Sequence, residues 1–236
     1  MSAPVASSDW KQYMAGMAAT TRHAALADFY RSPWPTADTA LEELELVALD
    51  VETTGLDARR HAIVSIGLIP LTLNRIRSDA AWYQLLRPSA DLIPESIAFH
   101  RITHSDIRRA PRFGDILEEL LAQLAGKVAV VHYHPIERGF IDQAVRQAIG
   151  EGLHFPLIDT MEIEAKLHPR RRTGWLAPLL RRKPASLRLA DCRNRYGLPP
   201  YRAHHALTDA LATAELLQAQ VAKHFTPQQP VSSLWM

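Results

Sequence analysis

LVALDVETTGLD, residues 46–57, decides how this chain is read. In a strand successive side chains alternate between faces, so Leu46, Ala48, Asp50 and Glu52 all emerge on one of them. That face begins as core and ends in two carboxylates, about 6.6 Å apart along the chain. Thr53, Thr54 and Gly55 then break the strand. A bare pair of acids at a strand end is most often a polar tip facing water. Two carboxylates from one tip are also what an oxygen-seeking dication wants, since Mg²⁺ prefers carboxylate and water ligands.

Around this stretch the pattern is strands first, then helices. ELVALDV (45–51), AIVSIGLIPL (62–71) and AWYQLLR (81–87) are three β-type runs joined by short turns, as in an antiparallel meander. Thr103, with Asp106 three residues on, makes a helix N-cap. Phe113, Ile116, Leu117, Leu120, Leu121 and Leu124 line one face of a longer helix that stops at Gly126. KVAVVHY (127–133) is a buried strand, and a helix from about Pro135 to Ile149 follows it. Further helices are expected near 159–167, 187–196 and 206–223. This order predicts an α/β fold, a mixed sheet of about five strands flanked by helices. Residues 44–225 form that domain. Residues 1–43 are set apart as a helical arm, on a loose periodicity from Tyr13 to Tyr30 ended by Pro33 and Pro35, and residues 226–236 as a C-terminal tail.

The 236 residues are 47% apolar and 22% charged, which excludes a disordered or fibrous chain. The longest apolar run, IVSIGLIPL, is interrupted by Ser65 and Pro70 and falls short of the roughly eighteen residues of a membrane span. MSAPVASSDWKQ, at the start, lacks a basic segment followed by an apolar one, so no secretory signal is expected. Cys192, the single cysteine, excludes an internal disulfide framework and fits the reducing cytoplasm. The ten glycines form neither GxGxxG nor a P-loop, so those phosphate-binding chemistries lose their usual signature. Net charge is only +2, but six basic residues and no acid fall between His168 and Pro184: Arg170, Arg171, Arg172, Arg181, Arg182 and Lys183. A solvated loop is the plainer account of this insert, and contact with polyanion phosphates the functional one.

Two more stretches carry acids. In HHALTDALATAELLQ (204–218), helical spacing sets Asp209 on a stripe with Thr213 and Leu216 of an Ala- and Leu-rich, largely buried helix. A carboxylate there is costly unless paired or ligated, although a first-turn acid is also favoured by the helix dipole. Five residues turn a helix by about 500°, so His204 falls in the loop before the helix, free to move over whatever Asp209 binds. In VVHYHPIERGFI (130–141), Glu137 and Phe140 follow a strand and Pro135. His132 and His134 form an HxH on one strand face, a weak candidate for a transition-metal pair.

Together the three stretches resemble the motifs of the DEDDh 3′–5′ exonucleases, the family of the proofreading epsilon subunit of bacterial DNA polymerase III. DxETTGL is matched from Asp50 to Leu56, and HRALxDAxAT by HHALTDALAT from His204 to Thr213. LIPESIAFHRIT (92–103) looks like the family's HGIT segment with Arg101 for glycine, and LIDTM (157–161) and SLRLADCRNRYGLP (186–199) resemble later segments. The second motif, close to HNAxFDxxFL, is here HYHPIERGFI: Tyr133 replaces asparagine, Ile136 phenylalanine and Glu137 aspartate. The resemblance implies an RNase H-like core with two Mg²⁺ or Mn²⁺ ions held by Asp50, Glu52, Glu137 and Asp209. His204 would take the proton of the attacking water, as suits an imidazole of reference pKa about 6.5. Thr53, Thr54 and Leu56 would hold the terminal nucleotide, with His100 and Phe140 near its base and sugar. The implied activity is removal of nucleoside monophosphates from a 3′ end, with single-stranded DNA favoured. The implied partners are nucleic acid and, as a separate chain, a polymerase, with no membrane. Two other readings compete: a catalytically weakened nucleic-acid or polymerase-binding module, supported only by Glu137, and a zinc hydrolase using His132 and His134.

Overall fold

A computed structural model of the chain describes residues 10–89, 94–168 and 185–236. Its centre is β1 (Leu46–Thr53), whose first four residues are fully buried on both faces. β2 (Ile63–Leu71) pairs antiparallel with β1 and with β3 (Trp82–Leu85), which makes the expected meander. On its other side β1 pairs in parallel with β4 (Val128–Val131), and β4 with β5 (Leu157–Asp159). The sheet is thus five-stranded and mixed, in the order β3-β2-β1-β4-β5. β4 ends two residues before the apolar pattern does. Tyr133 lies at φ 98, ψ 67, a left-handed conformation that no strand accommodates.

Helices cover both faces. After α1 (Trp10–Thr20) and α2 (Ala24–Tyr30) come α3 (Pro94–His100), α4 (His104–Ile107) and α5 (Phe113–Leu124). Asp106 accepts the Thr103 N–H at 2.8 Å, closing the capping box expected at the start of α4. Ile116, Leu117, Leu120, Leu121 and Leu124 of α5 are all buried, as their spacing requires. α6 (His134–Ile149) begins one residue before Pro135, and α7 (Thr160–Leu167), α8 (Leu189–Arg195) and α9 (Ala206–His224) follow. α9 lies across β1 and β2, and Gly67 is what allows it. A Cβ on Gly67 would stand 2.5 Å from the Ala206 carbonyl carbon and the Leu207 nitrogen.

The two end segments share the core of the sheet. Trp10, Met14, Leu26, Phe29 and Tyr30 of the first two helices belong to one buried cluster with the strands. Thr21 Oγ1 donates to Glu151 at 2.7 Å, fastening the α1–α2 turn to the loop after α6. At the other end, Ala40 bridges Pro230 and Ile158 bridges Trp235, while Val231 and Trp235 are buried. Among the described residues no helix is long and apolar enough to cross a membrane. The basic insert, Arg170 to Lys183, lies outside the described residues.

Candidate active site

Three of the four predicted acids converge where β1 runs out beneath the start of α9. One oxygen from each of Asp50, Glu52 and Asp209 lies within 4.8 Å of the others, and no other such group of three or more metal-ligating side chains occurs among the described residues. β1 supplies the first two from one face, in register with Gly67 and Ser65 of β2. The register shifts between Glu52 and Thr53, an irregularity directly after the acids beyond which Thr53 pairs with Ile63. α9 supplies the third from its first turn, and the backbone N–H of His204 donates to Asp209 Oδ2 at 2.7 Å.

The electrostatics are those of a crowded, desolvated cluster. Burial holds the Asp50 carboxyl well above the usual range, and Glu137, Glu52 and Asp209 add to it by repulsion. Burial and Asp209 push Glu52 up to about 8. Asp209 is raised by burial too, restrained by the backbone N–H groups of His204 and His205. Like charges this close cannot all ionise without a counter-charge. Glu137 is 3% exposed, and burial raises its carboxyl. It stands outside the three-carboxylate set, yet its charge is the largest acting on Asp50. Its Oε2 is buried with no hydrogen-bond partner.

His204 stands outside α9, as its spacing from Asp209 predicted, exposed and at φ 68. Of the residues expected near the terminal nucleotide, Leu56 is 83% exposed beside the acids, on a turn braced by two threonines. Thr53 Oγ1 donates to Gly55 O at 2.7 Å, and Thr54, fully buried, accepts the Ala62 N–H at 3.0 Å. His100 and Phe140 are both buried but line different cavities. His100 accepts the Ile102 N–H on Nδ1 at 3.0 Å, and burial lowers its pKa.

The structure does not support the HxH pair. His132 has both ring nitrogens engaged, with Thr160 Oγ1 and with Leu187 O, each at 2.8 Å. His134 is not on a strand at all: it opens α6, its Nδ1 2.8 Å from Asp159. Asp159 is a residue to which sequence reasoning gave no role. Its carboxylate accepts the backbone N–H groups of Tyr133, His134 and Met161 at 3.1, 2.7 and 2.8 Å. The signal was the aspartate of LIDTM directly after an apolar pair. Arg193 was missed as well. It is 3% exposed, donates to Ala212 O, Pro199 O and Glu215 at 2.7, 2.9 and 2.7 Å, and so ties α8 to the loop that leads to His204.

The model of the RNase T exonuclease family matches residues 47–217. The DNA polymerase III PolC-type protein of Thermotoga petrophila is 27% identical over 179 residues, which are 76% of this chain but 12% of that much longer protein. The DNA polymerase III subunit epsilon of Treponema pallidum is 26% identical over 183 residues, 78% of this chain and 79% of its own. Exonuclease X, solved in complex with 5′ overhanging duplex DNA, superimposes with a TM-score of 0.57 at 22% identity, over 78% of this chain and 96% of that one. The shared architecture is the RNase H-like mixed sheet with flanking helices.

Proposed function

The chain belongs to the RNase T exonuclease family, and on that premise we propose that it is a metal-dependent 3′–5′ exonuclease that removes nucleoside monophosphates, with single-stranded DNA favoured. The observation that carries this reading is the convergence of Asp50, Glu52 and Asp209 within 4.8 Å from two separate elements. Their oxygens are hard donors, the kind Mg²⁺ and Mn²⁺ prefer over zinc or copper. The unpartnered Oε2 of Glu137 offers a fourth. The residues present therefore fit two such ions, held by Asp50, Glu52, Glu137 and Asp209. Bound there, the ions would supply Lewis-acid stabilisation of an in-line phosphodiester displacement.

The chain's own groups do the rest. His204, exposed and joined to Asp209 through its backbone, accepts the proton of the attacking water. The turn braced by Thr53 and Thr54 presents Leu56 to solvent, where it packs on the terminal nucleotide. His100 and Phe140 shape the walls on either side. The basic residues Arg170, Arg171, Arg172, Arg181, Arg182 and Lys183 add affinity for the strand's phosphates. The same reading includes a separate polymerase chain as a partner, in keeping with the polymerase names of the relatives. It also includes a cytoplasmic location, with which the lone, buried Cys192 is compatible.

Digestion of 5′-labelled DNA and RNA oligonucleotides, each with a free or a blocked 3′ end, tests the proposal. A ladder shortening from a free 3′ end in Mg²⁺ or Mn²⁺, abolished by EDTA, is expected. Binding without any shortening in Mn²⁺ would leave the weakened-module reading, for which the replacement of aspartate by Glu137 is the one observation.

A further inference from the structure

A cavity of about 410 Å³, with His204 in its wall, lies between the start of α9, β3 and the loop after α3. The strand ladder fixes its place relative to the acids. Asp50 is paired with Gly67, and Gly67 with Tyr83, so the three stand abreast on one face of the sheet. Two strand spacings put Tyr83 about 10 Å from Asp50, within the span of one nucleotide.

Besides His100 and His204, which belong to the site already described, the lining differs from the carboxylate cluster. Arg101 and Arg202 both line the cavity and both are exposed. Asp106 is the one acid in the lining, and its carboxylate is committed to Thr103, whose N–H and Oγ1 it meets at 2.8 and 2.7 Å. The guanidinium charges are therefore free to face a ligand anion. In the same lining the rings of Tyr83 and His205 stack at 4.9 Å and 16°, with Tyr83 backing the exposed His205. Arg101 is held at φ 62, a conformation that favours glycine, so an arginine is kept there against its backbone preference. Two guanidiniums suit a phosphodiester, and a stacked pair of flat rings suits a nucleobase of any identity.

Resting on the exonuclease reading, we propose that this cavity is the subsite for the nucleotide immediately 5′ of the scissile bond. Arg101 and Arg202 hold that nucleotide's 5′ phosphate, and its base lies on the Tyr83–His205 pair. The subsite grips without reading sequence, because a ring platform meets the face of a base and not its hydrogen-bonding edge.

Dinucleotides separate the two contacts. A 5′-phosphorylated dinucleotide carries the anion, one with a free 5′ hydroxyl lacks it, and one abasic at the upstream position lacks the base. The wild-type chain should cleave the phosphorylated form with a kcat/KM at least about tenfold above that of the hydroxyl form. Arg101→Gly combined with Arg202→Ala should bring that ratio close to one. Arg101→Gly also suits the local backbone, and any loss of folded protein cancels in the ratio. Tyr83→Leu should instead shrink the preference for a base over the abasic form, by about 5- to 150-fold, while the phosphate ratio survives. Cleavage of both dinucleotides at equal efficiency by the wild type, or a ratio unmoved by the double substitution, would overturn the subsite alone. No cleavage of the dinucleotides or of a longer free 3′ end would overturn the exonuclease reading, and the subsite with it.

Discussion

Without a divalent cation the protein should lose stability as pH rises, and Glu52 sets the scale. Burial and Asp209 raise its folded-state pKa to about 8, against an ordinary value of 4.5. Between those values the folded chain keeps a proton that the unfolded chain has released. The contribution is thus complete below the unfolded pKa and is lost as pH climbs through the folded one. Each pH unit in that window is worth about 1.4 kcal/mol, so from pH 5 to pH 7.5 Glu52 alone removes up to roughly 3 kcal/mol. Asp50 and Asp209 are shifted in the same direction and steepen the loss. Mn²⁺ should replace the protons and flatten the profile. Glu52→Gln, which cannot ionise, should gain most of those roughly 3 kcal/mol at pH 7.5 in EDTA and lose much of the stabilisation by Mn²⁺. Urea unfolding at pH 5, 6 and 7.5, in EDTA and in excess Mn²⁺, reads all of this. Parallel EDTA profiles for wild type and Glu52→Gln, or a midpoint indifferent to Mn²⁺, would refute the argument.

Four further outcomes are expected. Asp50→Ala and Asp209→Ala should each abolish oligonucleotide hydrolysis in Mg²⁺ and Mn²⁺, and more than about a tenth of the wild-type rate in either would contradict a two-ion site. His204→Ala should slow turnover by about 10²–10⁴, the usual scale for a lost general base, while Mn²⁺ still raises the urea midpoint. Glu137→Gln should cost at least about 10²-fold in rate at saturating Mn²⁺, or roughly 2.7 kcal/mol in the transition state, and Glu137→Asp considerably less. Tyr133→Asn should stabilise the fold by about 1 kcal/mol in urea, because asparagine tolerates the left-handed backbone better than tyrosine.

The parts of the molecule legible in the sequence are those written in a repeating period. α5 repeats its leucines every three or four residues, so the spacing announces its buried face. The Asp50–Glu52 pair was legible for the same reason, since two residues along a strand share a face. His204 was placed outside its helix by a rotation count alone. What stayed hidden depended on backbone conformation or on distant partners. Nothing in KVAVVHY says that Tyr133 turns left-handed, so the apolar run predicts a longer strand than forms and sets His132 and His134 on one face of it. Phe140 and His100 line separate cavities, a placement that no spacing in the sequence shows. The Arg193 clamp reaches the Ala212 carbonyl and the Glu215 carboxylate on another helix, and no periodicity encodes either contact.

The expected order of the two Glu137 variants follows from how the start of α6 is held. Asp159, at the end of β5, is 2% exposed and accepts N–H groups from the first residues of two helices, α6 through His134 and α7 through Met161. Both helices are thereby tied to β5, which lies two strands from β1 across β4. The left-handed Tyr133, whose N–H the same carboxylate accepts, makes the turn between strand and helix abrupt. So anchored, the start of α6 has a fixed place relative to Asp50. From that place glutamate extends about 1.5 Å farther than aspartate would. Glu137 stands outside the three-carboxylate set, yet its charge acts on Asp50 more strongly than those of Glu52 and Asp209. On this account the residue at 137 and the anchoring at 133 and 159 are one adjustment. Aspartate at 137 would keep the charge but fall short in this backbone, whereas glutamine would keep the reach and lose the charge, which is why the second change should cost more.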